Sequence, residues 1–236
     1  MKAILLAAGK SARLGKITKN IPKPMLKIKN EIVLAHNIEW LKKYNIKDIY
    51  INLHYLPDII KSYFGDGSKW KVKINYSYEK NILGTAGGVK KIINIYEKDN
   101  WKEDFLVVYG DSFYPFSYNI DKLIDFQKEK NALVSMGLYK RKSEIWKSGV
   151  ALIADNGRIK KFVEKPDPKK INSNLVNTGI YIVHPKIVKY IPDGFSDFAQ
   201  DIFPKLLREK LPIYGYVFGE GLIPIDTPKL LKKANR

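Results

Sequence analysis

The sequence predicts an α/β protein whose central sheet is mixed and mostly parallel. In the first half of the chain, short apolar runs alternate with segments whose apolar residues recur every three or four positions. This alternation is typical of strand–helix–strand units, which build parallel sheets. In the second half, Asp155-Asn156-Gly157 separates two apolar runs and is a strong signal for an antiparallel hairpin.

The elements of the first half follow one another in the order that such units require. Residues 3–7 form an apolar run that indicates a buried strand, and residues 30–45 form an amphipathic helix. Leu34, Ile38 and Leu41 lie on one stripe of that helix. The other elements expected here are strands at 48–53, 72–76 and 105–109 and helices at 56–64 and 121–129. A further helix is expected to open in the stretch 79–88 and to run to about residue 96.

The second half is predicted to add strands and two helices with recognisable starts. Ser196 is expected to cap one helix. Thr227-Pro228 is expected to open the last helix, because a capping residue is followed by proline in the favoured order. The apolar stripe of the helix after Ser196 is Phe198, Ile202 and Leu206, and the strands expected are 132–139, 149–154, 159–163 and 175–183.

Length and composition limit the class of protein. A chain of 236 residues can bury a substantial core, and we expect one domain over residues 1–236. No apolar run approaches the roughly 18 residues of a membrane span, and the N-terminus lacks the pattern of a signal peptide. The absence of cysteine excludes disulfides and thiolate metal sites. These limits fit a cytoplasmic enzyme without a membrane partner.

The formal charge of +18 at pH 7 raises the question of nucleic-acid binding. The lysines, however, are scattered through nearly every helix and loop, and no recognised nucleic-acid-binding motif is present. We therefore favour a field that attracts anionic substrates, with no nucleic acid as partner. A basic nucleic-acid-binding protein remains an alternative of another class.

The segment after the first strand has the composition of a phosphate-binding loop. Small residues let a backbone approach a ligand, and loop N–H groups together with cations suit a polyphosphate. The segment is not a Walker loop, whose first glycine would fall at Ile4, and it is not a dinucleotide fingerprint. An ordinary connection in a lysine-rich protein is the plain alternative. The expected nucleotide contacts in this loop are Leu6, Ala8 and Gly9. Four basic residues follow them, namely Arg13, Lys16, Lys19 and Lys23.

This stretch resembles the signature of the sugar-1-phosphate nucleotidyltransferases, in which G-x-G-T-R-L is followed by a P-K-P-M/L segment. The two parts stand here at residues 9–14 and 22–25, with the arginine and the lysine at the family spacing. Ser11 and Ala12 depart from the usual Gly-Thr of the loop.

The resemblance covers nearly the whole chain and implies several properties. It implies a Rossmann-like three-layer nucleotidyltransferase fold and catalytic roles for Arg13 and Lys23. It also implies a nucleotide-binding half over about residues 1–130 and a sugar-phosphate-binding half over about residues 131–236. The members closest in pattern are guanylyltransferases that act on mannose or heptose 1-phosphates.

Two aspartates are candidates for holding Mg²⁺. Asp111 follows the apolar run 105–109, and ligands of open α/β sheets lie at the carboxyl ends of strands. The resemblance implies a metal role for Asp111, and the plain alternative is a turn aspartate. Asp226 lies in a segment similar to the family's second metal-binding segment, D-x-G-T-P, contracted here to D-T-P. A charge placed ahead of a helix would also explain Asp226. Because Mg²⁺ typically uses one or two carboxylates, both aspartates or Asp111 alone could serve.

The segment from Glu79 to residue 88 resembles the base-reading region of the family, with Gly84 and Thr85 as further nucleotide contacts. An ionised glutamate only accepts hydrogen bonds, so it prefers a base edge that donates them. Guanine fits best, uracil and thymine fit partly, and cytosine lacks a ring N–H there. Alternatively, Glu79 covers a surface lysine and the glycines tighten packing.

Three further segments match the family's sugar-contacting motifs in order and approximate spacing. They are G-V at Gly149, E-K-P at Glu164-Lys165, and N-x-G-x-Y at Asn177-Thr178. The resemblance implies that Glu164 and Asn177 hold sugar hydroxyls and that Lys165 holds the sugar phosphate. Taken singly, each residue is an ordinary hairpin or edge position.

The reaction implied is the joining of a nucleoside triphosphate and a sugar 1-phosphate to give a nucleotide sugar and pyrophosphate, with Mg²⁺. The sugar phosphate is already largely dianionic near neutral pH and needs no general base. This agrees with the positions of His36, His54 and His184 outside every matched motif. Alternatives are uridylyl, thymidylyl or cytidylyl transfer and a non-catalytic nucleotide-sensing subunit. The oligomeric state is left open.

Overall fold

The structure, a computed structural model, describes residues 1–10, 12–99, 101–219, 221–222 and 225–235. Ser11 of the loop signature therefore lies outside the described residues, as do Ile223 and Pro224 of the segment that precedes Asp226. The strands are β1 (Lys2–Leu6), β2 (Lys27–Ile28), β3 (Glu31–Ile32), β4 (Asp48–Leu53), β5 (Lys73–Tyr78), β6 (Phe105–Tyr109), β7 (Val134–Lys140), β8 (Gly149–Ile153), β9 (Ile159–Glu164), β10 (Leu175–Val183) and β11 (Ile213–Val217). The helices are α1 (Val33–Lys43), α2 (Pro57–Phe64), α3 (Gly84–Ile95), α4 (Ile120–Lys130), α5 (Phe203–Arg208) and α6 (Pro228–Ala234).

The chain folds into two compact units whose segments interleave along the sequence. The first unit contains Met1–Ile82, Val108–Phe116 and Leu222–Arg236, and the second contains Leu83–Val107 and Ser117–Gly221. Within the described residues, no helix combines the length and the apolar composition that crossing a membrane requires.

In the first unit, β1, β4 and β5 form a parallel sheet with β4 in the middle. Lys2 of β1 pairs with Asp48 of β4, and Asp48 pairs in turn with Lys73 of β5. Every residue of β4 from Ile49 to Leu53 is buried, as is typical of parallel strands covered on both faces. The predicted apolar stripe of α1 is fully buried as well. Because the three strands are parallel, their carboxyl ends lie at the same edge of the sheet. Asn52 and Glu79 lie at this edge.

In the second unit, parallel and antiparallel pairings occur together. β10 runs antiparallel to β7 and to β8, β8 and β9 form an antiparallel hairpin, and β11 runs parallel to β7. Asp155-Asn156-Gly157 lies between β8 and β9, with Gly157 at φ +83°, as the hairpin signal predicts. Strands and helices of this α/β fold thus combine in a mixed, mostly parallel arrangement, and the predicted fold class is confirmed.

The predicted elements agree with the structure where the apolar pattern is continuous. The bounds of β4, β6 and β10 are those predicted, and Thr227 caps α6 by accepting from the Leu230 N–H at 3.3 Å. β11 was not expected, because Pro212 precedes it and Gly215 interrupts its apolar run. A Cβ at Gly215 would lie 2.5 Å from a side-chain carbon of Leu138, so close strand packing accounts for this glycine.

The predicted helix cap at Ser196 is wrong. Asp197 is the capping residue, and its carboxylate accepts from the N–H groups of Ala199 and Gln200 at 2.8 and 3.1 Å. These groups begin a π-helical turn, Phe198–Ile202, that leads into α5. Serine and aspartate are both good caps, and only the aspartate satisfies two amides here. The buried Ser196 hydroxyl has no hydrogen-bond partner in the part of the chain that the structure describes.

Candidate active site

The loop after β1 is fixed at its start by a hydrogen bond to β4 and is exposed to solvent at Gly9. The Ala7 N–H, the first beyond the strand, donates to Asn52 Oδ1 of β4 at 2.7 Å. Leu6 and Ala8 are buried, whereas Gly9 is exposed, and a Cβ added to Gly9 would meet no described atom within 4 Å. Of the three residues of this loop that are predicted to contact a nucleotide, Gly9 is therefore the most accessible to a ligand.

Lys23 is a buried cation between two carboxylates. Its Nζ lies 3.0 Å from Asp111 Oδ2 and 2.6 Å from Asp226 Oδ1, and its side chain is 6% exposed. Burial by itself lowers the pKa of Lys23, but the charges of both aspartates and the hydrogen bonds to them outweigh burial and raise that pKa. Because this pKa is raised, the charged lysine stabilises the folded protein fully at any pH below 10.5, the ordinary pKa of lysine. The stabilisation is lost only as the pH rises above that value. We call Lys23, Asp111 and Asp226 the carboxylate–lysine cluster.

Arg13 lies at the rim of the carboxylate–lysine cluster. Its guanidinium is 3.4 Å from Asp226 Oδ1, and its side chain is 66% exposed. An exposed ion pair contributes about 0–1 kcal/mol to stability. The guanidinium can therefore leave Asp226 for an anionic ligand at small energetic cost.

Backbone contacts fix Asp111 at the end of β6. The Gly110 N–H donates to the Leu6 carbonyl at 2.9 Å, and the fully buried Asn37 donates from Nδ2 to the Ser112 carbonyl at 2.8 Å. The residues on both sides of Asp111 are thus tied to β1 and to α1. The carboxylate is held by rigid elements, which suits a binding group.

The oxygen atoms of the two aspartates in the cluster are of the kind that divalent cations bind. Carboxylate oxygens from two distant chain segments converge on one positive centre, and Mg²⁺ typically binds through one or two carboxylates. Among the described residues, no group of three or more His, Cys, Asp or Glu side chains forms a richer site. Asp111 and Asp226 are therefore the described residues that could hold Mg²⁺.

Glu79 follows β5 and is part of a buried polar network. Asn52 Nδ2 donates to Glu79 Oε1 at 2.8 Å, and the side chain of His54 is 2.8 Å from the Glu79 carbonyl. The side chain of Glu79 is fully buried. Glu79 thus lies inside the fold beside Asn52, and its role as base reader stays a prediction.

In the second unit, Gly84 and Thr85 begin α3 and lie against residues 196–198. Gly84 has φ +74°, and a Cβ there would lie 2.4 Å from the Ser196 carbonyl oxygen. The Thr85 hydroxyl donates to Asp197 Oδ2 and accepts from the Phe198 N–H, each at 2.8 Å. Packing thus accounts for Gly84, and the predicted nucleotide contacts of both residues stay predictions.

Two glycine variants should separate ligand approach from packing. Gly9→Ala is expected to leave the melting temperature unchanged, because the added methyl group meets open space, and to reduce nucleotide affinity if a phosphate approaches that backbone. Gly84→Ala is expected to destabilise the fold by about 1–3 kcal/mol, because a positive φ and a backbone clash coincide. Thermal melts with and without nucleoside triphosphate measure both effects. An equal loss of stability in the two variants would contradict this assignment.

The first group of predicted acceptor residues lies on the β8–β9 hairpin. Gly149 pairs with Glu164, and a Cβ at Gly149 would lie 2.7 Å from Glu164 Oε2. The missing side chain at position 149 therefore makes room for the carboxylate. Lys165 has φ +48°, and its ammonium lies 3.7 Å from Glu164 Oε1 with 59% of the side chain exposed. The structure brings these three predicted residues together.

The second group lies on β10, at an irregularity in its pairing with β7. Asn177 Nδ2 donates to the Tyr181 hydroxyl at 2.6 Å, and its Oδ1 accepts from the Gly179 N–H at 2.8 Å. Thr178 is buried, and its hydroxyl donates to the Gly137 carbonyl at 2.8 Å. Asn177 is partly exposed, while the Thr178 hydroxyl serves the sheet, so a sugar contact from Thr178 would have to come from its backbone.

The charge of Glu164 is expected to lower the stability of the folded protein even if it contributes to sugar binding. Burial raises the pKa of this carboxyl, the neighbouring Lys165 lowers it, and Asp197 raises it, with a net rise above the ordinary 4.5. The folded protein thus holds the proton more tightly than the unfolded chain, so stability falls as the pH rises through the window above 4.5. Glu164→Gln cannot ionise and should melt at a higher temperature than wild type near pH 7 but not below pH 4.5.

The control for that prediction is Glu129→Gln, since Glu129 is 67% exposed in the same unit. Melting curves at several pH values measure the difference from wild type. A Glu164→Gln protein less stable than wild type at pH 7 would show that the carboxylate is a net stabilising group. If Glu164 holds a sugar hydroxyl, the same variant also has a higher KM for the sugar phosphate.

Two residues with clear roles were missed in the sequence. Asn52 is the polar residue near the carboxyl end of an otherwise apolar strand, which is the same signal that singled out Asp111. Asp197 follows the serine that was expected to cap the helix, and aspartate is as common a helix cap as serine, so the sequence offered both residues as candidates. Both lie in the neighbourhood of predicted site residues, namely Glu79 and Thr85.

A parallel α/β unit with a glycine-containing loop after its first strand, and cations and carboxylates beside it, is typical of nucleotide-binding proteins. The chain belongs to the nucleotidyl transferase family, because the sequence model of that family matches residues 2–221. It is 37% identical over 225 residues to a UTP–glucose-1-phosphate uridylyltransferase of Synechocystis sp., covering 91% of this chain and 57% of that protein. It is 32% identical over 237 residues to a mannose-1-phosphate guanyltransferase of Saccharomyces cerevisiae, covering 97% of this chain and 62% of that protein.

The chain therefore spans about three fifths of the length of these curated relatives. Solved structures share its fold. A putative glucose-1-phosphate thymidylyltransferase from Bacillus anthracis superposes with a TM-score of 0.86 at 24% identity, covering 100% of this chain and 94% of that one. HddC from Yersinia pseudotuberculosis superposes with a TM-score of 0.82, also at 24% identity, covering 99% and 97%.

Proposed function

We propose that the protein joins a nucleoside triphosphate to a sugar 1-phosphate, giving a nucleotide sugar and pyrophosphate. The observation that supports this most directly is the convergence of Lys23, Asp111 and Asp226, with Arg13 at the rim. A buried lysine between two carboxylates, with an exposed guanidinium beside them, offers the charges that phosphoryl-group chemistry requires. The sugar-1-phosphate nucleotidyltransferases among the relatives agree with it.

The nucleophile in this reaction is a phosphate oxygen of the sugar 1-phosphate, which attacks the α-phosphorus while pyrophosphate leaves. That phosphate is mostly dianionic near pH 7, so no residue has to remove a proton. The barrier is the repulsion between anions and the need for in-line alignment. Arg13 holds the leaving pyrophosphate, Lys23 donates to the α-phosphate, and Lys165 holds the acceptor phosphate. Mg²⁺ on Asp111 and Asp226, when bound, neutralises further phosphate charge.

The acceptor sugar is held, in this proposal, by Glu164 and Asn177, with Gly149 leaving space for the Glu164 carboxylate. Both side chains offer oxygen atoms that accept from sugar hydroxyls. Gly84 and Thr85 supply nucleotide contacts from the start of α3. Each of these roles comes from the match to the family motifs.

For the nucleotide, we propose GTP with mannose or heptose 1-phosphate. Glu79 accepts hydrogen bonds, and guanine offers N1–H and an exocyclic amine on one edge. The second candidate is UTP with glucose 1-phosphate, which is favoured by the identity of 37% to the Synechocystis uridylyltransferase. Uracil offers a single N3–H donor to the same carboxylate.

The test is a pyrophosphate-release screen with Mg²⁺ that crosses GTP, UTP, dTTP, CTP and ATP with mannose, heptose and glucose 1-phosphates. The expected result is release with GTP and mannose or heptose 1-phosphate. Release with UTP and glucose 1-phosphate alone would establish the second candidate. Nucleotide binding without release in any combination would indicate a nucleotide-sensing subunit and overturn the proposed activity.

A further inference from the structure

The carboxylate–lysine cluster already contains a cation of its own. Lys23 bridges the two carboxylates with a short contact to each, and its side chain is almost fully withdrawn from solvent. The side chains of Asp111 and Asp226 are 31% and 39% exposed, so solvent reaches both. The same two carboxylates are the ones that fit a divalent cation.

One ammonium and one divalent cation would share the same two carboxylates. Lys23 Nζ donates to Asp111 Oδ2 and to Asp226 Oδ1, one oxygen of each carboxylate. A divalent cation bound to these carboxylates would lie close to a buried positive charge, which is unfavourable at such short range. The ammonium therefore opposes metal binding for as long as it stays between the two carboxylates.

We propose that Lys23 is a built-in counter-ion that occupies the metal-binding carboxylates until a nucleotide phosphate draws its ammonium away. This rests on the proposed function for the identity of the phosphate, but its test does not need the reaction. In the absence of nucleotide, Lys23 keeps the carboxylates together and divalent cations bind weakly. A bound triphosphate takes the ammonium, so nucleotide and metal bind with positive cooperativity.

The first experiment measures Mn²⁺ affinity by electron paramagnetic resonance without nucleotide. Lys23→Met should bind Mn²⁺ between about 5- and 150-fold more tightly than wild type, which is the usual range of coupling between sites. The control is Lys19→Met, which removes another basic residue of the same N-terminal segment. Its Mn²⁺ affinity should equal that of the wild-type protein. Adding Asp226→Asn to Lys23→Met should remove the gain.

Three outcomes would overturn the proposal. They are equal Mn²⁺ affinities for wild type and Lys23→Met, a gain that persists in the double variant, and tight binding of Mn²⁺ by the wild-type protein alone. Lys23→Gln, which keeps a hydrogen-bond donor, serves as a second variant if the methionine variant does not fold.

A measurement on the wild-type protein gives an independent test. Millimolar Mg²⁺ without nucleotide should leave its melting temperature unchanged, because the ammonium already compensates the carboxylates. A clear rise in that temperature on adding Mg²⁺ alone would contradict the proposal. A failure of the pyrophosphate-release screen leaves both metal experiments interpretable, so the two proposals can fail separately.

Discussion

Asp111→Asn is expected to lower turnover roughly 10²- to 10³-fold while the protein stays folded. The substitution keeps the size of the side chain and removes the charge that the proposed chemistry uses. Lys23 retains Asp226 at 2.6 Å, so the buried ammonium is not left without a carboxylate. Removing its last partner would instead cost about 3–5 kcal/mol.

The measurement is the initial rate of pyrophosphate release with the best substrate pair, together with a thermal melt. Asp121→Asn, in the first turn of α4, is the matched control and should retain the wild-type rate. Asp226→Asn measured in parallel decides whether one or both carboxylates are needed. A wild-type rate in Asp111→Asn would remove the proposed metal role of that residue.

Arg13→Ala is the second variant with a large expected effect, a loss of roughly 2.7–4 kcal/mol of transition-state stabilisation. The guanidinium is exposed and its pair with Asp226 is weak, so the melting temperature should change little. The loss should therefore fall on kcat/KM, through the leaving pyrophosphate.

Lys16→Ala is the control for that experiment, because Lys16 is an exposed basic residue that follows Arg13 closely in sequence, just beyond the kink at Gly15. A nonspecific effect of charge on substrate attraction would lower the rate of both variants and would weaken at high salt. Near-wild-type rates in both Arg13→Ala and Asp111→Asn would discard the proposed mechanism.

The fold was predictable wherever local patterns and packing demand the same residues. β4 and β6 are continuous apolar runs flanked by polar residues, and their bounds in the structure are those expected. β11 fails this test, since Gly215 is explained by Leu138, which is distant in sequence. The choice of Asp197 over Ser196 as cap likewise depends on tertiary contacts of Thr85.

The site shows the same division. The residue types around Arg13 and Lys23 suit a polyphosphate, but spacing alone leaves an ordinary loop equally open. The resemblance to the family motifs is what favours phosphate chemistry there and a metal role for Asp111. That Lys23 is buried between two carboxylates was not readable, because its partners lie 88 and 203 residues away along the chain. Sequence spacing reports which groups are present, whereas their pairing depends on how distant strand ends meet.

The amide of Asn52 connects the residue after β1 with the residue after β5, across sequence separations of 45 and 27 residues. Its oxygen faces an N–H donor and its nitrogen faces a carboxylate, so neither end can be inverted without losing both hydrogen bonds. A Glu79→Gln variant can keep its hydrogen bond to Asn52 only by turning its amide oxygen toward Asn52 Nδ2, which puts an N–H donor where the wild type has its second carboxylate oxygen. If Glu79 reads the base as proposed, Asn52 therefore fixes which way round an amide at position 79 would lie.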